Sequence, residues 1–136
     1  MVRLIMSGTG EGKTKQLLEL MNGAAETEAG CMVCIEPTRN MSFNLRHQTR
    51  LVDASEFNID SFQTLRGFIC GLYAGNYDIS HIFIDNLCKV AHSSDQREVD
   101  EFLAWLDTFS SPIGLKNTIT ISADPDTATD TMRRFM

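Results

Sequence analysis

The sequence predicts an α/β domain with a mostly parallel sheet and helices on both faces. Short apolar runs alternate along the chain with stretches of helical periodicity, which is the pattern of strand-helix-strand crossovers. A glycine-rich segment, "SGTGEGKT" at residues 7 to 14, separates the first apolar run from the first helical stretch. No internal repeat, linker or low-complexity segment interrupts the alternation, so residues 1–136 read as one three-layer domain. A chain of this length can bury roughly 68% of its unfolded surface, enough for a core without disulfide or metal staples.

Residues 2 to 6, "VRLIM", read as a short buried strand bounded on its C-terminal side by glycines. Residues 13 to 22 then carry Leu17, Leu18 and Met21 at helical spacing, with Gly23 as the stop. "CMVCI" is a second strand that ends at Glu36 and Pro37, and "RLVDA" is a short third one. Asp60 and Gln63 resemble a capping pair ahead of a helix whose apolar face is Phe62, Leu65, Ile69 and Leu72, running to about Gly75. "HIFID", residues 81 to 85, is a strand. Ser94 or Asp95 caps a further helix in which Val99, Phe102, Leu103, Leu106 and Phe109 recur at three and four. "NTITIS" is another strand, and Asp124, Pro125 and Asp126 mark the start of a last helix through Arg134, with proline in the first turn and acids at the positive end of the dipole.

Hydrophobic residues make up 43% of the chain and charged residues 22%, both ordinary for a globular protein. No apolar run is long enough to span a bilayer and no targeting signal is readable, so cytoplasm is the default expectation, with no membrane partner. Cys31 and Cys34 have C-x-x-C spacing, but in a strand residues i and i+3 face opposite ways and cannot share one metal; both read as core cysteines. The net charge of −6 argues against a large nucleic-acid surface. A basic segment of Arg39, Arg46, His47 and Arg50 leaves a local contact open.

A strand, a glycine-rich turn and a helix place backbone N–H groups in a ring above the helix N-terminus, which is an anion site. Gly8, Gly10 and Gly12 allow backbone angles that a Cβ forbids and let phosphate oxygens come close. Lys13 supplies positive charge for the β and γ phosphates, and Thr14 a hydroxyl for Mg²⁺. The spacing is that of the Walker A pattern, except that Ser7 stands at the hinge position normally held by glycine. The expected nucleotide contacts are Gly8, Thr9, Gly10, Glu11, Gly12, Lys13, Thr14 and Lys15. Asp85, at the end of "HIFID", supplies the second acid such a loop requires and holds Mg²⁺ directly or through water.

On "SGTGEGKT", "CIE" and "HIFIDN" the sequence resembles the RecA-like P-loop NTPases, over residues 2 to 124. It is also similar to short bacterial proteins labelled ATP-binding, some of them compared with pilus-retraction ATPases. Many relatives place a catalytic glutamate directly after the Walker B aspartate, where this chain has Asn86. RecA carries its glutamate at the end of the strand after the P-loop helix, and Glu36 matches that place. The resemblance implies that the strand of Glu36 lies beside that of Asp85, that Glu36 and Lys13 are the catalytic pair, and that Ser122 stands where such proteins keep a polar sensor of the γ-phosphate. "EPTR" resembles a helicase motif, with Arg39 as a nucleic-acid contact.

Three functions remain open from the residues. One is ATP binding with slow or partner-stimulated Mg²⁺-dependent hydrolysis, the partner being a protein or a second copy. Another is a small nucleoside or nucleotide kinase with residues 39 to 60 toward the acceptor. The third is a non-hydrolysing switch set by nucleotide.

Overall fold

The computed structural model describes residues 1–8, 12–38 and 49–136, and for Lys13 and Thr14 the backbone alone. The described strands are β1 (Val2–Ser7), β2 (Cys31–Glu36), β3 (Thr49–Asp53), β4 (Ile79–Ile84) and β5 (Lys116–Ser122). They pair in the order β1-β5-β4-β2-β3, and every pairing is parallel. The helices are α1 (Lys13–Thr27), α2 (Phe62–Gly75), a single turn α3 (Leu87–Val90), α4 (Gln96–Ser110) and a short α5 (Asp130–Phe135).

Alternation along the strands divides the core in two. Leu17, Met21 and Ala25 of α1 pack on Met32, Cys34 and Phe83 on one face. Val33, Ile35, Ile82, Ile84, Ile119 and Ile121 point to the other face, where α2, α4 and α5 cover them. The central strands are buried on both sides, which is why "CMVCI" and "IFI" read as continuous apolar runs. Among the described residues no helix is long and apolar enough to cross a membrane.

Several boundaries differ from expectation. Gly23 does not stop α1, which continues to Thr27. Ala25 extends the buried stripe of Leu17 and Met21, and its packing outweighs the roughly 1 kcal/mol cost of an interior glycine. The cap of α2 is one residue later than Asp60: Ser61 Oγ accepts from the Thr64 amide at 3.0 Å while Thr64 Oγ1 accepts from the Ser61 amide at 3.0 Å, a closed capping box. Of the two candidate caps for α4 the structure uses Asp95, which accepts from the amides of Arg97 and Glu98. Asp124 and Pro125 begin only a 3-10 turn, Pro125–Thr127, and α5 starts afresh with Thr129 as its cap. The turn Ala54–Phe57 and helix α3 carry too few residues to show periodicity. Cys34 is core as expected, but Cys31, at the entry of β2, is exposed.

At the amino ends of the strands the tail of α1 is tied to the sheet by charge. Lys116 Nζ lies 3.2 Å from Glu28 Oε2, and His81 Nδ1 lies 3.6 Å from the same oxygen. The other ring nitrogen of His81 is 2.9 Å from Thr118 Oγ1, and the ring stacks on Phe83 at 4.0 Å between centroids. Burial of the ring is the main reason that the His81 pKa falls from 6.5 to about 4, with Lys116 adding to it and Glu28 opposing. Burial alone would raise the carboxyl of Glu28, but Ser80, Lys116 and His81 together hold it below 4.5.

The fold therefore favours neutral His81, whereas the unfolded chain takes up a proton near pH 6.5. The stability His81 contributes is complete above that pH and is lost as the pH falls toward about 4. Urea unfolding from pH 7 to pH 5 should show a declining midpoint, with up to about 3 kcal/mol lost once the ring is fully charged. His81→Gln should flatten that decline; an equally steep one in the variant would contradict the assignment.

Candidate functional site

In a parallel sheet all carboxyl ends lie at one edge, and here that edge collects the polar residues that the apolar runs lead into. β1 ends at Ser7, which pairs in register with Ser122 at the end of β5. Ile84 of β4 pairs with Ile119 on one side and Ile35 on the other, and the Asp85 amide donates to Ile35 O at 2.9 Å. The next residues therefore run Thr120, Asp85, Glu36 across three adjacent strands. All three point to the face covered by α1, the face shared by Phe83 and Cys34. Glu36 is 1% exposed and Asp85 8%. The thiol of Cys34 registers both acids: burial raises its pKa well above 9.0, and the charges of Asp85 and then Glu36 push it the same way.

Thr120 links the row to the following turn. Its hydroxyl donates to Asp85 Oδ1 at 3.1 Å and accepts from the Asn86 amide at 2.8 Å. Asn86 takes a left-handed conformation, φ 57°, which turns the chain off the sheet and into α3. No residue-by-residue motif singled out Thr120. The alternation in "TITIS" was the available signal, since it puts Thr118, Thr120 and Ser122 on one face.

The other wall of this end is the start of α1. Gly12 is its N-cap at φ 75°, a left-handed conformation, and its carbonyl accepts the first helical bond from Gln16 at 3.0 Å. Among the described residues no side chain caps α1, and its first turn holds no acid. That turn holds Lys13 and Lys15 instead, against the usual preference at the positive end of a helix dipole. By contrast α2, α4 and α5 are each capped by a side chain.

Of the residues expected in the site, Gly8 follows β1 directly, Gly12 opens α1, and Lys15 is exposed on its first turn. Thr9, Gly10 and Glu11 lie outside the described residues, as do the side chains of Lys13 and Thr14. Glu36 and Asp85 are brought together on neighbouring strands. Ser122 sits beside Ser7, two residues beyond Thr120 along β5. Arg50 is exposed on the edge strand β3, while Arg39, Arg46 and His47 lie outside the described residues.

A Cβ at Gly12 would meet nothing among the described residues within 4 Å, so its substitution tests backbone conformation. Gly12→Ala should destabilise the protein by about 1 to 2 kcal/mol in urea unfolding, and Gly12→Asn by less, because asparagine tolerates left-handed angles. Equal effects of the two would contradict the conformational account.

No family model matches the sequence, and no curated protein does. Among solved structures 125 chains match. One is a KaiC-like protein from the hyperthermophilic archaeon Pyrococcus horikoshii OT3, similar with a TM-score of 0.70 at 18% identity, over 98% of this chain and 68% of that one. At that identity the likeness carries the fold alone. It supports the RecA-like resemblance and not the comparison with pilus-retraction ATPases. The chain has an α/β domain with a five-stranded parallel sheet, a fold similar to that of the KaiC-like protein.

Proposed function

We propose that the chain binds ATP with Mg²⁺ between the start of α1 and the acid row of β4 and β2, and hydrolyses it slowly or when a partner stimulates it. The observation that carries this reading is the α1 N-terminus. Among the described residues no side chain caps it, its first turn holds two lysines and no acid, and it follows a strand whose end lies at the same sheet edge as buried Asp85 and Glu36. An uncapped helix start beside lysines is suited to an anion, and two buried acids nearby are suited to a cation and a water.

In this reading backbone amides around Gly8 to Gly12 and the ammonium of Lys13 bind the phosphates. Thr14 and Asp85 would hold Mg²⁺, which supplies charge neutralisation at the β and γ oxygens. Glu36 accepts a hydrogen bond from a water and orients it toward the γ-phosphorus. The water oxygen bonds to that phosphorus as one of its protons passes to Glu36, the bond from the phosphorus to the β-phosphate oxygen breaks, and ADP and phosphate leave, Glu36 returning the proton to the phosphate. A positive group from a second copy or another protein completes the charge compensation, as arginine fingers do in many NTPases. Asn86 in the place next to Asp85 favours a second reading, a nucleotide switch without turnover.

Lys13→Ala should abolish binding of MgATP in calorimetric titration while leaving the circular dichroism spectrum unchanged; unaltered affinity would sink the phosphate-loop reading.

Glu36→Gln should keep MgATP affinity but lower turnover by roughly 10² to 10⁴. Asp85→Asn should weaken binding only in the presence of Mg²⁺. Wild-type protein that binds MgATP tightly without turnover, alone or assembled, would select the switch.

A further inference from the structure

We propose that Thr120 is a positioning residue for Asp85, a buried hydroxyl that fixes the direction in which the carboxylate meets the Mg²⁺-bound nucleotide. The inference rests on the proposed nucleotide function and assigns a role within that site. The side chain of Thr120 is fully buried, and its Oγ1 lies between two groups of the next strand: Asp85 Oδ1 at 3.1 Å and the Asn86 amide at 2.8 Å.

A hydroxyl has one proton, and an amide N–H can only donate. Because Asn86 donates to Oγ1, the single hydroxyl proton is directed to Asp85, which as a carboxylate can only accept. The pair of bonds thus removes the usual rotational freedom of a hydroxyl. The threonine itself is stiff about χ1, being β-branched and set in the interior of a sheet. Asp85 Oδ1 is consequently tied to β5, and the carboxylate cannot swing about its Cβ–Cγ bond without breaking a buried hydrogen bond. The same hydroxyl holds the left-handed turn at Asn86, so the end of β4 and the angle of its acid are set by one atom of the neighbouring strand.

Packing alone does not require a hydroxyl at this position. Valine has nearly the same shape and would suit the apolar surroundings of Phe83 and Cys34 on this face. What valine cannot do is donate to the acid or accept from the turn.

The test compares Thr120→Val with Thr120→Ser by calorimetric titration of a non-hydrolysable ATP analogue, once with Mg²⁺ and once with EDTA. Thr120→Val should lose roughly 10- to 100-fold in affinity with Mg²⁺, the scale for groups that orient metal ligands, and nothing in EDTA. Thr120→Ser should restore the Mg²⁺-dependent gain. Before nucleotide is added, the Asn86 amide should exchange with deuterium faster in the valine variant than in wild type or the serine variant. In an Asp85→Ala background, Thr120→Val should cause no additional loss.

Full Mg²⁺-dependent affinity in the valine variant, or an equal loss in EDTA, would overturn the proposal while leaving nucleotide binding intact. If Thr120→Val does not fold, Thr120→Cys, with a poor donor of similar size to serine, carries the same comparison. Wild-type protein whose affinity for the analogue is unaffected by Mg²⁺ would overturn the metal reading of Asp85, and this proposal with it.

Discussion

Parallel pairing in one register is the constraint on which the candidate site depends. Ile84 sits opposite both Ile35 and Ile119, so the residues that follow them, Asp85, Glu36 and Thr120, stand side by side on one face. Period-2 alternation leaves little tolerance: slipping β4 by one residue would turn Asp85 to the face of α2 and α4 and expose its neighbours to the wrong layer. Packing on both sides prevents the slip. Phe83 is clamped under Leu17 and Met21, while Ile82 and Ile84 fill the opposite core. The hydrophobic effect therefore sets the position of the polar groups, although none of them takes part in it.

The polar edge runs against stability at several points. Two acids are buried on adjacent strands, Gly12 and Asn86 occupy left-handed conformations, and α1 begins with no side-chain cap among the described residues and with lysines at its positive end. Burial of charge, backbone strain and an unfavourable dipole contact each disfavour the folded state locally. The buried acids and the lysines of α1 occur at the same edge, whereas at the amino ends of the strands Glu28 is paired with Lys116. Such local concentration of unfavourable features is what a ligand-binding edge requires, since a ligand can relieve them.

Much of this was legible in the sequence. Short apolar runs marked β2 and β4, the alternation of "NTITIS" marked β5, and the spacing of Phe62, Leu65 and Ile69 marked α2. The glycine loop placed the start of α1 and the acid at the end of "HIFID" placed Asp85. Spacing alone does not determine strand order, so the adjacency of Glu36 and Asp85 was implied by the family resemblance rather than by periodicity. The role of Thr120 is not legible in the sequence, because alternation tells which residues share a face but not what that face meets. Gly23 misled because local propensity yields to burial when Ala25 continues the stripe. The caps at Ser61 and Thr129 depended on which of several neighbouring polar side chains reached a free amide, a choice made by backbone angles. Strand periodicity places Cys31 in the core, but a strand's first residue lies where the chain enters the sheet from outside, and Cys31 is exposed.

The central claim is that the start of α1 and the edge carrying Asp85 and Glu36 form one site. A crystal structure of the protein grown with Mg²⁺ and a non-hydrolysable ATP analogue tests this most directly. The account predicts phosphate density on the amides at the start of α1, a metal between that density and Asp85, and Glu36 on the γ-phosphate side. Nucleotide bound at another surface, or bound at α1 with Asp85 and Glu36 out of reach of metal and phosphate, would contradict it.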